Sequence, residues 1–300
     1  LGADGGVFTV AGDGSADFKT VQAAIDASPS TGAVIHLRPG TFREKLFINK
    51  AHIQLRGMSA DASKVVVTYD DSAGTAGGTT KSASVTVSGD DFYAENLTIE
   101  NSFSRTRALT QKGSQAVALR ISGDRGILRH VRFLGYQDTL YATGKPARQY
   151  FADCYIEGNV DYIFGDSRAY FENCEIHSKA HSPVMITAQS KLRADEQSGY
   201  VFDHCRLSAD PGATPVYLGR PWRAYASVVF LYTEMGPFIA PAGWHEWEHD
   251  GKPSLPTSFY AEYQSSGPGA NPARKQLSAE EAAKFSATTF FDGWNPREVH

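Results

Sequence analysis

Five short segments of this 300-residue chain repeat one pattern: a polar residue, a small or apolar one, an outward-facing one, then a large apolar one. They are Asn96–Ile99, His130–Phe133, Asp153–Ile156, Asn173–Ile176 and His204–Leu207, returning at intervals of 34, 23, 20 and 31 residues. An aromatic or apolar residue precedes each, namely Phe92, Ile127, Phe151, Phe171 and Phe202. Returns to a fixed pattern at unequal intervals describe a solenoid of equal cross-section with loops of unequal length between its strands. The expected fold is therefore all-β, a right-handed parallel β-helix in which each coil buries its inward residues on the next. Twenty-eight glycines and fourteen prolines supply the turns such a fold needs, and 41% hydrophobic residues supply its core.

The ends of the chain read differently. Phe18, Val21, Ala24 and Ile25 follow helical spacing, with Asp17 as candidate N-cap and Ser28-Pro29 as a stop, which predicts a short helix capping one end. Near the other end, Ser278 to Glu281 forms a capping-box pattern opening a helix over AEEAAKF, expected to pack outside the solenoid. Between them, Ala33 to Phe42, Leu46 to Ile48, His52 to Gly57 and Lys64 to Asp70 read as short strands, and Ser72 to Ser82 as a loop. That loop lacks the ending of a phosphate-binding loop. Residues 1–300 are expected to form one catalytic domain.

Composition limits the partners. A net charge of −4 without a lysine or arginine run argues against nucleic acid, and no apolar stretch is long enough to span a bilayer. The N-terminus lacks the form of a secretion signal, which leaves a mature secreted chain with its leader removed or a cytosolic protein; the expectation is the former, acting as a monomer.

The chemistry gathers between Gly135 and Asp166. Asp138 stands among Tyr136, Leu140 and Tyr141, and Asp161 among Tyr162, Ile163 and Phe164. A carboxylate in such surroundings loses hydration, so its pKa rises unless a partner stabilises the charge. Two such groups with different partners can serve as acid and nucleophile at one pH. An arginine at Arg220 could hold one of them with two parallel hydrogen bonds and lower its pKa. Because side chains alternate along a strand, Gln137 and Asp138 cannot both face one side unless the backbone bends there.

The segments QAVAL (Gln115 to Leu119), GYQDTLY (Gly135 to Tyr141), GNVDYIFGD (Gly158 to Asp166) and LGRPWR (Leu218 to Arg223) resemble, in order and spacing, the signature blocks of pectin methylesterases. GTFREK from Gly40, with Phe42 where the family has tyrosine, FYAEYQSSGPGA from Phe259 and RKQLSAEEA from Arg274 extend the likeness over nearly the whole chain. The resemblance implies hydrolysis of the C6 methyl esters of pectin, with Asp161 as nucleophile, Asp138 as general acid and then base, Gln115 and Gln137 as oxyanion donors, and Arg220 orienting Asp161. It further implies saccharide contacts from Trp222, Phe164, Tyr141, Val160 and Trp247, and from Thr79 and Thr80 in the loop. No GxSxG elbow supports a serine route.

Resemblance also favours a disulfide between Cys154 and Cys174, which a coil of about 20 residues would stack one above the other. Two stacked buried thiols are the alternative, and Cys205 is expected buried and free. No aspartate cluster has calcium-ligand spacing, and His52, His130, His177, His181 and His204 form no metal motif, so no cofactor is expected. Trp244 and Trp247 suit either a cleft wall or the core. The rival readings are a β-helical lyase or polygalacturonase, and a non-catalytic carbohydrate-binding solenoid.

Overall fold

The computed structural model describes residues 5–103 and 112–299. Within them the chain winds as a parallel β-helix. A seven-stranded sheet stacks Leu46–Ile48, Val85–Val87, Leu119–Ile121, Leu140–Ala142, Ile163–Gly165, Val184–Gln189 and Val216–Gly219 in chain order. A sixteen-stranded sheet carries the other faces of the coils, and every strand pair in both sheets is parallel.

The repeat read from the sequence is the pairing register. Thr98, Arg132, Tyr155, Glu175, Arg206 and Glu234 lie one above another, and Ile99, Phe133, Ile156, Ile176, Leu207 and Met235 do so beside them, facing inward. The polar residue that opens each segment makes the corner. Asn96, His130, Asp153, Asn173 and His204 all have φ between 50° and 56°, in the left-handed region. Asn, Asp and His enter that region at least cost among side chains, which explains the polar residue at each corner. Backbone N–H groups of Asp153, Asn173 and His204 donate to carbonyls of the following coil, so each bend is also hydrogen-bonded.

In the later coils the position two residues before the corner holds a ladder of rings. Phe151, Phe171, Phe202 and Phe230 stack with centroids 4.8, 4.5 and 4.6 Å apart and planes within 11°. In the earlier coils the partners are Ala94 and Leu128, not Phe92 and Ile127 as the sequence suggested. The ladder keeps a constant distance from the corner, whereas the nearest large apolar residue does not. Ile127 instead packs outside, with Tyr150, Tyr170 and the C-terminal segment.

The N-terminal helix spans Val21–Ala27 and buries Val21, Ala24 and Ile25 over the first coils. Asp17 does not cap it: that carboxylate accepts from Thr9 N. Glu44, in the GTFREK block, reaches back to accept from Val21 N at 2.9 Å and Gln22 N at 3.0 Å. A full carboxylate there also suits the positive end of the helix. Ser72–Ser82 is not a plain loop, because Ala73–Ala76 forms a turn of helix with a Ser72/Thr75 capping box and Thr79–Ser82 a 3-10 turn. At the other end, Ala279–Ala283 carries the expected Ser278/Glu281 box. Leu277, Ala282, Ala287 and Phe291 then pack on Tyr150, Tyr170, Val229 and Ala261, outside the coils.

Cys154, Cys174 and Cys205 are free, buried thiols, so the expected Cys154–Cys174 disulfide is absent. Stacked on successive coils, their backbones lie within the span a disulfide tolerates, yet the sulfurs stay unbonded. Each Sγ donates instead to carbonyls of its own coil and the one before, Cys154 to Ala152 O at 3.3 Å and Leu128 O at 3.4 Å. Burial pushes the Cys154 and Cys174 thiols well up, which keeps both neutral.

Candidate active site

Outward residues of the seven-stranded sheet form one column, because a parallel register repeats each position on every coil. Arg120, Tyr141, Phe164 and Ala188 follow one another in it. The two aspartates stand two residues before the inward pair Leu140 and Ile163 on consecutive coils, joined by Asp138 N donating to Val160 O at 3.0 Å. Each is itself a left-handed bend, with φ of 64° at Asp138 and 50° at Asp161. That bend lets the consecutive Gln137 and Asp138 face one trough, as a regular strand would forbid.

The trough is a cleft of about 420 Å³. Gln115, Gln137, Asp138, Asp161 and Arg220 line it together with Thr79, Thr80, Tyr141, Phe164, Ala188, Trp222 and Trp247. Val160 is the one expected contact not brought to the lining; it supplies backbone, its N–H donating to Asn159 Oδ1. Trp244 turns inward and stacks on Tyr260 with centroids 3.9 Å apart, so the two tryptophans divide between core and cleft. Tyr141 and Phe164 stack at 4.3 Å, and Trp222 meets both edge-on.

Arg220 follows the strand Val216–Gly219, where Arg220 N donates to Thr187 O. Its Nε and Nη2 donate to the two oxygens of Asp161 at 2.9 and 2.7 Å, and the Trp247 ring lies 4.2 Å from the guanidinium carbon. The planar cation is thus fixed at its edge by a carboxylate and on its face by an indole, which a lysine could not reproduce.

Asp138 and Asp161 are 8% and 6% exposed, and burial decides both titrations. For Asp138, loss of hydration raises the pKa well above the carboxylate range; the Asp161 charge raises it further, and Arg220 opposes only weakly. Burial raises Asp161 as well, while the Arg220 hydrogen bonds and charge pull it down. The guanidinium therefore does not carry Asp161 below its ordinary value, as the sequence suggested, because desolvation of a nearly enclosed carboxylate is the larger effect. It does separate the pair, because Arg220 hydrogen-bonds Asp161 alone and so favours the charge there over Asp138.

Three further residues escaped the sequence reading. Ser114 Oγ donates to Gln137 Oε1 at 2.8 Å, which turns the Gln137 amide so that its NH₂ is the end left free. Asn101 is buried and its amide donates to Asp71 O, Ser82 O and Val117 O, tying the Ser72–Ser82 segment to the trough wall. Ala188 keeps the column low where larger side chains would fill it.

Fold and trough together define a class, the parallel β-helix proteins that open a clamped acid pair beneath aromatic rings. Within it, the profile of the Pectinesterase family matches residues 7–294, and the chain belongs to that family. It is 39% identical over 311 aligned positions to the probable pectinesterase/pectinesterase inhibitor 17 of Arabidopsis thaliana, covering 97% of this chain and 58% of that protein. The pectin methylesterase from carrot superposes with a TM-score of 0.87 at 31% identity, covering 98% of this chain and 95% of that one. A pectin methylesterase solved in complex with a hexasaccharide gives 0.85 at 32% identity, over 96% of this chain and 98% of that one. The chain thus spans little more than half the length of its plant relative.

Proposed function

We propose that this chain hydrolyses the C6 methyl esters of polygalacturonate, releasing methanol. The observation that carries the reading is the unequal acid pair: one carboxylate clamped twice by Arg220, the other, one coil away, buried and without an ion pair among the described residues. An ionised Asp161 Oδ attacks the ester carbon. The oxyanion that forms is met by amide N–H groups of Gln115 and Gln137, which stabilise negative charge without adding a positive one that would ionise Asp138. The C–OCH₃ bond breaks as Asp138 gives its proton to methoxide, leaving methanol and a mixed anhydride on Asp161. Asp138, now a base, takes a proton from water; the hydroxide attacks the anhydride, and Asp161 departs as carboxylate beside the uronic acid.

Tyr141, Phe164, Trp222 and Trp247 offer faces for the apolar C–H surfaces of the sugar rings. An acidic polysaccharide places the reaction outside the cell or in a cell wall, with residues 1–300 acting as one catalytic unit and a monomer. No helix among the described residues is long and apolar enough to cross a membrane.

The test is product analysis on methyl-esterified pectin. The reading expects methanol without new reducing ends and without unsaturated product, which separates it from a glycosidase or lyase. A folded Asp161→Asn variant that still released methanol at the parent's rate would overturn the assignment.

A further inference from the structure

After His245 N donates to Gly219 O at 3.0 Å, the chain leaves the coils until the strand Phe259–Tyr263. From Trp247 to Pro253 it loops outward, and at the tip the N–H groups of His249 and Lys252 donate to each other's carbonyls. Glu248, Asp250, Gly251, Lys252 and Pro253 are exposed, so burial does little to hold the loop in place. One carboxylate does. Glu246 Oε1 accepts from Trp247 N at 2.9 Å where the loop departs, and from Ser254 N at 2.7 Å and Leu255 N at 3.2 Å where it returns. Among the described residues no group other than Glu246 accepts from these three, and Ser254 is buried. Without that side chain both ends of the loop would keep unpaired backbone N–H groups.

What the carboxylate holds together faces the acid pair. The Trp247 ring lies 4.2 Å from the Arg220 guanidinium carbon, and the His249 ring stacks on Trp247 with centroids 5.7 Å apart. His249 Nε2 donates to Pro221 O at 3.1 Å, so both rings of the loop are seated on Arg220-Pro221. The titratable groups meeting here are Asp138, Asp161 and Arg220 in the cleft, with His245 and His249 on the loop side. A guanidinium held only along its edge can swing on its flexible stem, whereas an indole over its face restrains it and keeps water from that side. Resting on the reading above, we propose that Glu246, which does not line the cleft, is a positioning residue for ester cleavage: it clasps the Trp247–Pro253 loop so that the indole keeps the Arg220 fork on Asp161. The clasp acts at second hand, through Trp247 on Arg220 and through Arg220 on Asp161.

Glu246→Ala removes the acceptor, while Glu246→Gln keeps a carbonyl oxygen in the place of Oε1 and is the conservative rescue. Methanol release is followed across pH in both, in Trp247→Ala and in the double variant Glu246→Ala/Trp247→Ala. The Arg220 contacts pull the Asp161 titration down, so loosening them lets it rise. In Glu246→Ala the acid limb of kcat/KM should therefore move toward alkaline pH by about half a unit to one unit, the fork being loosened and the charge retained. Glu246→Gln should keep the parent's limb, and the double variant should shift no further than Trp247→Ala alone. An unmoved limb in Glu246→Ala, shifts that add in the double variant, or an equal shift in both Glu246 variants, the mark of a pure charge effect, would each overturn the proposal. Should Glu246→Ala not fold, Glu246→Asp takes its place with the same expected shift, its shorter arm failing to reach both ends of the loop. Carbon-13 titration of the Asp161 carboxyl, assigned with Asp161→Asn, separates the two readings. Were the parent to release no methanol, a raised Asp161 midpoint in Glu246→Ala would still support the clasp, and an unmoved one would sink it.

Discussion

Removing Arg220 should move the pH dependence of the reaction rather than merely lower its rate. In Arg220→Gln the Asp161 carboxylate loses two charge-assisted hydrogen bonds, at 2.9 and 2.7 Å, and the positive charge that acts on it. Hydrogen bonds to charged groups contribute roughly 1.5–3 kcal/mol each, and breaking a buried pair from one side costs roughly 3–5 kcal/mol. The Arg220 side chain is 25% exposed, so solvent screens part of this, and about 3 kcal/mol is the fitting magnitude. At 1.36 kcal/mol per unit, that corresponds to about two pKa units upward. In the proposed mechanism Asp161 attacks as the ionised carboxylate, so activity falls as pH drops through its pKa; a higher pKa brings that fall in earlier. The acid limb of kcat/KM should therefore shift about two units toward alkaline pH. Because Arg220 also lowers Asp138, the alkaline limb should follow in the same direction. Arg220→Lys, which keeps the charge but not the fork, should give a smaller shift. The assay is methanol release across the pH range, with thermal unfolding as a check on folding. A uniform loss at every pH, with both limbs unmoved, would refute the reasoning and leave Arg220 as a group that only shapes the trough.

Asp138 should tax stability as pH rises. Folded, it retains a proton that the unfolded chain loses near the ordinary carboxylate value, so stability falls from that value up to the raised one, by up to about 1.36 kcal/mol per pH unit. Asp138→Asn should match the parent at acidic pH and melt higher at neutral pH, while losing activity; thermal scans at both ends check this. The three cysteines, being free, should leave the melting temperature unchanged by reductant, and a thiol reagent should count none in the folded protein and three once it is denatured. Glu44→Ala should cost about 1–2 kcal/mol in denaturant titration by uncapping Val21–Ala27, with kcat intact.

What could be read in the sequence was whatever is periodic or local. The corner residues Asn96, His130, Asp153, Asn173 and His204 fell into line because one backbone conformation selects them on every coil. The trough residues could be read for a related reason: each block places its reactive side chain at a fixed distance from an inward apolar residue, Asp138 from Leu140 and Asp161 from Ile163. Contacts between blocks were not legible. Nothing near Val21 announces that its cap will come from Glu44, and nothing near Gln137 announces Ser114. Trp244 and Trp247 occupy equivalent aromatic surroundings in the sequence, and only the path of the chain sends one to Tyr260 and the other over Arg220. The cysteines show a subtler limit: stacking predicts their neighbourhood, but whether two sulfurs bond depends on fractions of an ångström that periodicity does not encode.

The corner bends carry a consequence for redesign. Since the coils from Asp153 onward meet their neighbours through the same corner and the same ladder, one of them can in principle be spliced out or duplicated while its neighbours still find matching surfaces. Asp138 and Asp161 belong to successive coils, so a duplication between them would part the two carboxyl groups by one full step. The spacing of the two carboxyl groups comes only in multiples of a strand separation, and no point substitution elsewhere can tune it continuously.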